Sequence, residues 1–188
     1  MMLFPAVQIV YWVSLSTWFG GVLFIAVAAP VIFRTVRQNN PILPTVLSVN
    51  LENQHGTLLA GTIVANLLQI LTRTEAFCTG GVFLGLVGQW LMVDLRSYSQ
   101  LTMLILRSAL FIGAAVLVWY NWKAVMPRVV YYRKEYIDHA DEPDVANLAR
   151  ELFDRYHKES VLLLGVVLCL LLGMILFSGN ISTAHAIF

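Results

Sequence analysis

Four histidines, two cysteines and one arginine set inside an apolar run are the residues of this chain with the widest chemical reach. His55 and His157 lie at the ends of helical segments, where an imidazole can ligate haem iron or copper. They form a shared site only if both reach the same membrane face. His139 and His185 sit in polar surroundings and read as solvated side chains. Cys78 and Cys169 fall in apolar runs without CxxC spacing, so they read as small buried hydrophobes, with no zinc or redox motif. The expected cofactor and metal content is therefore none, with haem on His55 and His157 as the alternative.

Arg107 is the stronger anomaly. It lies about seven residues into an apolar segment, roughly 10 Å deep at 1.5 Å per residue. A charge there costs a few kcal/mol unless it snorkels or finds a partner. Asp94 is the nearest carboxylate in sequence, and an Arg107–Asp94 pair or snorkelling competes with a proton or anion path. Asn66, Gln69 and Gln89 add polar groups, each able to contribute an interhelical hydrogen bond worth roughly 0.6 kcal/mol. No chain of carboxylates suggests a pump. No phosphate loop, nucleophile elbow, HExxH motif or paired intramembrane carboxylates are present, so the expectation is a non-catalytic protein.

The elements that must hold these residues are membrane helices. Of the 188 residues, 59% are hydrophobic and 12% charged, about half the charge of a soluble domain. A net charge of +1 without a basic face argues against nucleic acid. Apolar stretches approaching or exceeding the roughly 20 residues of a span occur at 5–33, 56–72, 76–95, 101–126 and 161–178. The predicted fold is an all-α integral membrane protein, a compact single-domain bundle of five helices over residues 1–188, alternatively four. Hydropathy favours five spans; the distribution of Lys and Arg favours four. The first stretch has no basic residue before Arg34 and is too long for a signal core, so it reads as an uncleaved span.

Small residues supply the packing faces, because close van der Waals approach drives helix association in lipid. Ser16 pairs with Gly20, Thr17 with Gly21, Gly61 with Ala65, and Gly81 with Gly85 in a GxxxG. Trp119 and Trp122 mark an interface, as do Tyr11 and Trp12 at the start of the first span. Residues 128–160 form an amphipathic polar connection, with a helix opened by Asp141 and Pro143. His157 and Arg155 anchor its junction with the last span.

Four short motifs at element ends carry a family likeness: WFGG at 18–21, AAPVIFR at 28–34, MPR at 126–128 and FDRYH at 153–157. In this order they resemble the small membrane proteins of the transmembrane protein 205 family, a domain of unknown function in bacteria. The resemblance implies a four-helix membrane protein with no established enzymatic activity and a link to drug resistance, hence transport or trafficking. It also implies a histidine at the His55 and His157 positions. Similar-looking small bundles, such as copper-resistance D proteins and the membrane protoporphyrinogen oxidase, make haem or copper conceivable there. The apolar segment at 76–95 departs from the family pattern.

The sequence thus points to a non-catalytic multi-pass protein of the inner cell membrane. Its expected role is an accessory or scaffolding subunit, in contact with lipid and with other membrane subunits or copies of itself. The alternatives are a haem- or metal-binding redox protein using His55 and His157, and a transporter or resistance protein for a small solute or metal.

Overall fold

A computed structural model describes residues 3–39, 55–92 and 97–178. Their regular structure is helical: α1 (Leu3–Gln38), α2 (His55–Met92), α3 (Tyr98–Tyr120), a π-helical turn (Asn121–Val125), α4 (Met126–Asp138) and α5 (Pro143–Ser178). Four helices are long and apolar enough to cross a membrane: Pro5–Gln38, His55–Met92, Tyr98–Asp138 and Pro143–Ser178. A helix of 38 residues is about 57 Å long, well beyond a hydrocarbon core of about 30 Å.

The expectation of separate spans at 56–72 and 76–95 is corrected by α2, which runs through both without a break. The polar stretch Arg73, Thr74, Glu75 looks like a turn, but it holds neither Gly nor Pro, and nothing forces the helix to stop. Local rules explain the other boundaries. Asn39 closes α1 by donating its side-chain amide to the Thr35 carbonyl at 3.0 Å. Pro127 has no N–H to give the Lys123 carbonyl, and its ring crowds that turn. The chain responds with the π turn, in which the Met126 N–H reaches the Asn121 carbonyl. Pro143 occupies the first turn of α5 beside Asp144, where its missing donor is of no consequence. From there α5 continues directly into the last apolar stretch.

The chain divides into two units. Unit 1 takes Met1–Val22, Arg73–Trp119 and Leu164–Phe188, and unit 2 takes Leu23–Thr72 and Tyr120–Leu163. In unit 1 the buried residues recur at spacings of three and four. These stripes are Tyr11, Leu15, Trp18 and Val22 on α1, and Glu75, Cys78, Val82, Leu86 and Gln89 on α2. Leu104, Arg107, Phe111 and Ala114 form the stripe of α3, and Val167, Leu171, Met174 and Ser178 that of α5. This is the 3.5-residue seam of left-handed helix packing. Large apolar residues on the opposite faces stand open, Phe77 at 83% and Leu91 at 81%. Such faces fit a lipid environment, and together the four long helices support a multi-pass membrane protein.

α1 and α2 approach closely through glycine. A Cβ on Gly85 would lie 2.6 Å from the Tyr11 Cβ and 3.0 Å from its Cα, and one on Gly88 would lie 2.6 Å from Val7. One on Gly81 would collide with the Ser14 hydroxyl. Phe83 stacks on Phe111 at 6.4 Å between α2 and α3. Leu170 and Leu110 rest over Gly113 and Gly173 between α3 and α5.

Unit 2 is held by a guanidinium and by aromatic rings. Arg133 on α4 donates through Nη2 to the Leu58 carbonyl at 3.2 Å and to Thr62 Oγ1 at 2.8 Å on α2. Gly61 leaves room for it. Tyr132 stacks on Tyr156 at 5.7 Å, and Arg128 covers the same Tyr156 ring at 5.2 Å, tying α4 to α5. The Tyr120 hydroxyl donates to Glu159 at 3.0 Å.

Candidate functional site

The core seam of unit 1 carries polar side chains from four helices at one level. Arg107, on α3, is 3% exposed, and Gln89, on α2, is 5% exposed. Arg107 donates through Nη1 to Gln89 Oε1 at 2.9 Å and through Nε to the Met103 carbonyl at 3.2 Å. Its Cζ lies 5.9 Å from the centre of the Tyr11 ring. Tyr11, on α1, is fully buried, and its hydroxyl lies 2.9 Å from Ser178 Oγ on α5. Ser178 gives its only proton to the Met174 carbonyl at 2.6 Å, so Tyr11 is the donor in the pair.

Two features make this layer unusual. Among the described residues no ion pair joins Arg107 to a carboxylate, whereas His139 pairs with Glu135 and with Glu142. Among the described residues, neutral dipoles and a ring face are what meets this buried cation. Second, Gln89 Nε2 is buried without a partner among the described residues, as are both amide atoms of Gln8, one turn from Tyr11 on α1. A buried unsatisfied donor costs roughly 1–3 kcal/mol. Together the free N–H groups of Gln89 and the charge of Arg107 make this layer richer in donors than in acceptors among the described residues.

A second polar pair lies further along the α1–α2 seam. Glu75 is 4% exposed, twenty residues after His55 and seventeen before Met92. Its Oε1 accepts from Trp18 Nε1 at 3.2 Å, and its backbone carbonyl accepts from the Thr79 hydroxyl at 2.7 Å.

Of the residues singled out from sequence, Arg107 and Gln89 meet directly. Asn66 does not join them: it belongs to unit 2 and is exposed, as is Gln69. Asp94, and with it the expected Arg107–Asp94 pair, lies outside the described residues, as does His185. Gly81 and Gly85 line the α1–α2 contact and Gly61 seats Arg133, whereas Gly20 has open space around it. Gly21 and Ala65 are half-buried. His55 is buried at the first turn of α2, and His157 stacks on Phe153 one turn away at 5.6 Å. No group of three or more His, Cys, Asp or Glu side chains able to hold a metal occurs among the described residues. Trp119, Trp122 and Arg155 are exposed, with the Lys123 ammonium 4.2 Å over the Trp122 ring. Cys78 is buried, but Cys169 is exposed, because its position on α5 falls off the seam. Tyr11 is a core residue instead of an interface marker. It opens the 4-3-4 stripe through Leu15, Trp18 and Val22, a spacing that would have identified it.

Comparison with protein-family models, curated proteins and solved structures returns no match.

Proposed function

We propose that this chain is a non-catalytic membrane protein that handles a small polar solute within its helices, without a resident cofactor, in the inner cell membrane. One observation carries the reading: the helical seam of unit 1 places Arg107 and Gln89 where Leu or Ala would pack without desolvation cost. Apolar replacement of buried ionic groups is commonly neutral or stabilising, so a buried cation and a free amide retained there are better explained by a ligand than by stability. An intramembrane ionisable residue is by default a functional-site candidate. The resemblance to the transmembrane protein 205 family, whose link to drug resistance implies transport or trafficking, agrees with this reading.

The test is uptake into proteoliposomes of a panel of neutral, cationic and anionic small solutes, with the Arg107→Gln variant beside the parent. The reading expects uptake of at least one solute that falls several-fold in the variant; uptake of none, or uptake indifferent to Arg107, would refute it.

A second reading, an accessory subunit or homo-oligomer, is favoured by a different surface. Ser16 and Gly20 lie one turn apart on α1, both exposed, with nothing within 4 Å of a Cβ on Gly20. A small-residue face left open in this way suits a neighbouring helix. Extraction in mild detergent followed by mass measurement tests it: a monomer with no bound protein would dismiss this role.

A further inference from the structure

We infer that the solute recognised at Arg107 is an oxyanion, a carboxylate or phosphate group held by the guanidinium of Arg107 and the amide of Gln89. The inference rests on the solute-handling reading above and names its chemical class. The donor inventory leads to it. A guanidinium carries five N–H donors in a planar fork and no acceptor; its bonds to Met103 and Gln89 leave its charge uncompensated among the described residues. Gln89 turns its oxygen to Arg107, so the amide's two N–H groups are what remains, and they have no partner among the described residues. Gln8, with both amide atoms equally buried and unpartnered, lies on α1 at the level where Val7 meets Gly88. Gln8 Oε1 is the one unpartnered acceptor among these buried atoms, set against the amide N–H groups of Gln8 and Gln89 and the Arg107 charge, and an oxyanion satisfies charge and N–H groups together. Paired oxygens also match the fork of the guanidinium, which a spherical halide does not.

Two sources could present the same oxygens: a free oxyanion or the phosphate of a lipid headgroup. Gln89 lies three residues before Met92, the last residue of α2, about 4.5 Å along the helix. Arg107 is nine residues beyond Tyr98, the first of α3, roughly 14 Å along. The layer is thus within reach of a headgroup and of a solute entering from the same end.

The experiment uses the full chain in a phosphate-free detergent. Thermal shift and equilibrium dialysis are run with acetate, inorganic phosphate and chloride, and bound phospholipid is measured by native mass spectrometry. The expected result is saturable binding of acetate or phosphate, or one retained phospholipid, with chloride far weaker. Arg107→Gln should weaken it about a hundred-fold and Gln89→Leu about ten-fold, as expected for losing a charged and a neutral contact. Gln89→Leu keeps the test open if Arg107→Gln fails to fold. Retained phospholipid assigns the lipid source, and binding of the free ions assigns the solute; both uphold the oxyanion. Equal binding of chloride, or no anion binding in parent and variants, overturns it. So does binding that appears only in Asp94→Asn, because the chain's own carboxylate would then be the occupant. If neutral or cationic solutes are still taken up in an Arg107-dependent way while no oxyanion binds, this inference fails and the solute-handling reading stands; if nothing is taken up, both fail.

Discussion

Replacing Gly85 with alanine adds one methyl group at the tightest point between α1 and α2. The new Cβ would sit 2.6 Å from the Tyr11 Cβ and 3.0 Å from its Cα, where ordinary contacts begin at 3.4 Å. Restoring that separation requires α1 to retreat by roughly 0.4–0.8 Å at Tyr11. Because the obstacle includes backbone, no rotamer change relieves it. The same retreat loosens the 2.9 Å Tyr11–Ser178 bond and the stacking of Arg107 on Tyr11. Overpacking of this kind costs about 1–3 kcal/mol. Against it stands the preference of a helix for alanine over glycine, about 0.5–1 kcal/mol. Repulsion wins, by up to about 2.5 kcal/mol. Gly20→Ala offers the control, since a Cβ there meets nothing within 4 Å and only the helix preference acts. Thermal melting in one detergent should therefore show opposite signs: Gly85→Ala falls by a few degrees, at roughly 2–4 °C per kcal/mol for a chain of this size, while Gly20→Ala stays level or rises. Gly85→Ala melting with the parent, or both variants falling alike, would refute the packing argument.

Trp18→Phe removes the N–H that serves Glu75 and should cost about 1–3 kcal/mol. Glu75→Leu in the same chain should restore most of it, and a double-mutant cycle without coupling would deny the pairing. Arg133→Lys shortens the side chain and withdraws the Nη2 position that serves both Leu58 and Thr62. At a half-exposed site this should lower stability by roughly 1 kcal/mol, whereas exposed Lys134→Ala should leave the melting temperature unchanged. The absorbance spectrum of the purified chain should lack a Soret band, and His157→Ala should not alter it; a Soret band abolished in that variant would restore the haem alternative.

The membrane class was legible in composition, and the start of α5 was legible in Pro143; the aromatic-plus-cation pattern near Trp122 instead falls on the π turn, through which the helix continues into α4. Arg107 and Gln89 were legible as polar residues in apolar surroundings. The continuity of α2 was hidden because Arg73 and Glu75 look like a connection. The core seam that absorbs Glu75 is visible only when its 3.5-residue spacing is followed through the polar position, from Leu71 to Cys78 and Val82. Pairing across helices was the least legible part. Nothing local to Tyr11 announces Ser178, 167 residues away, and nothing local to Trp18 announces Glu75. Asn66 misleads for a related reason: its polarity is visible in sequence, but the face of α2 it occupies depends on which helices surround it.

The central claim is that the Arg107 layer is kept for a ligand and not for stability. Its most direct measurement is the melting temperature of Arg107→Met/Gln89→Leu against the parent, in the same lipid nanodisc and without added solute. Methionine and leucine fill the seam without buried charge or orphaned amide, so the account predicts a melting temperature equal to or above the parent's. A clear drop would show that the layer holds the helices together, and would contradict the claim.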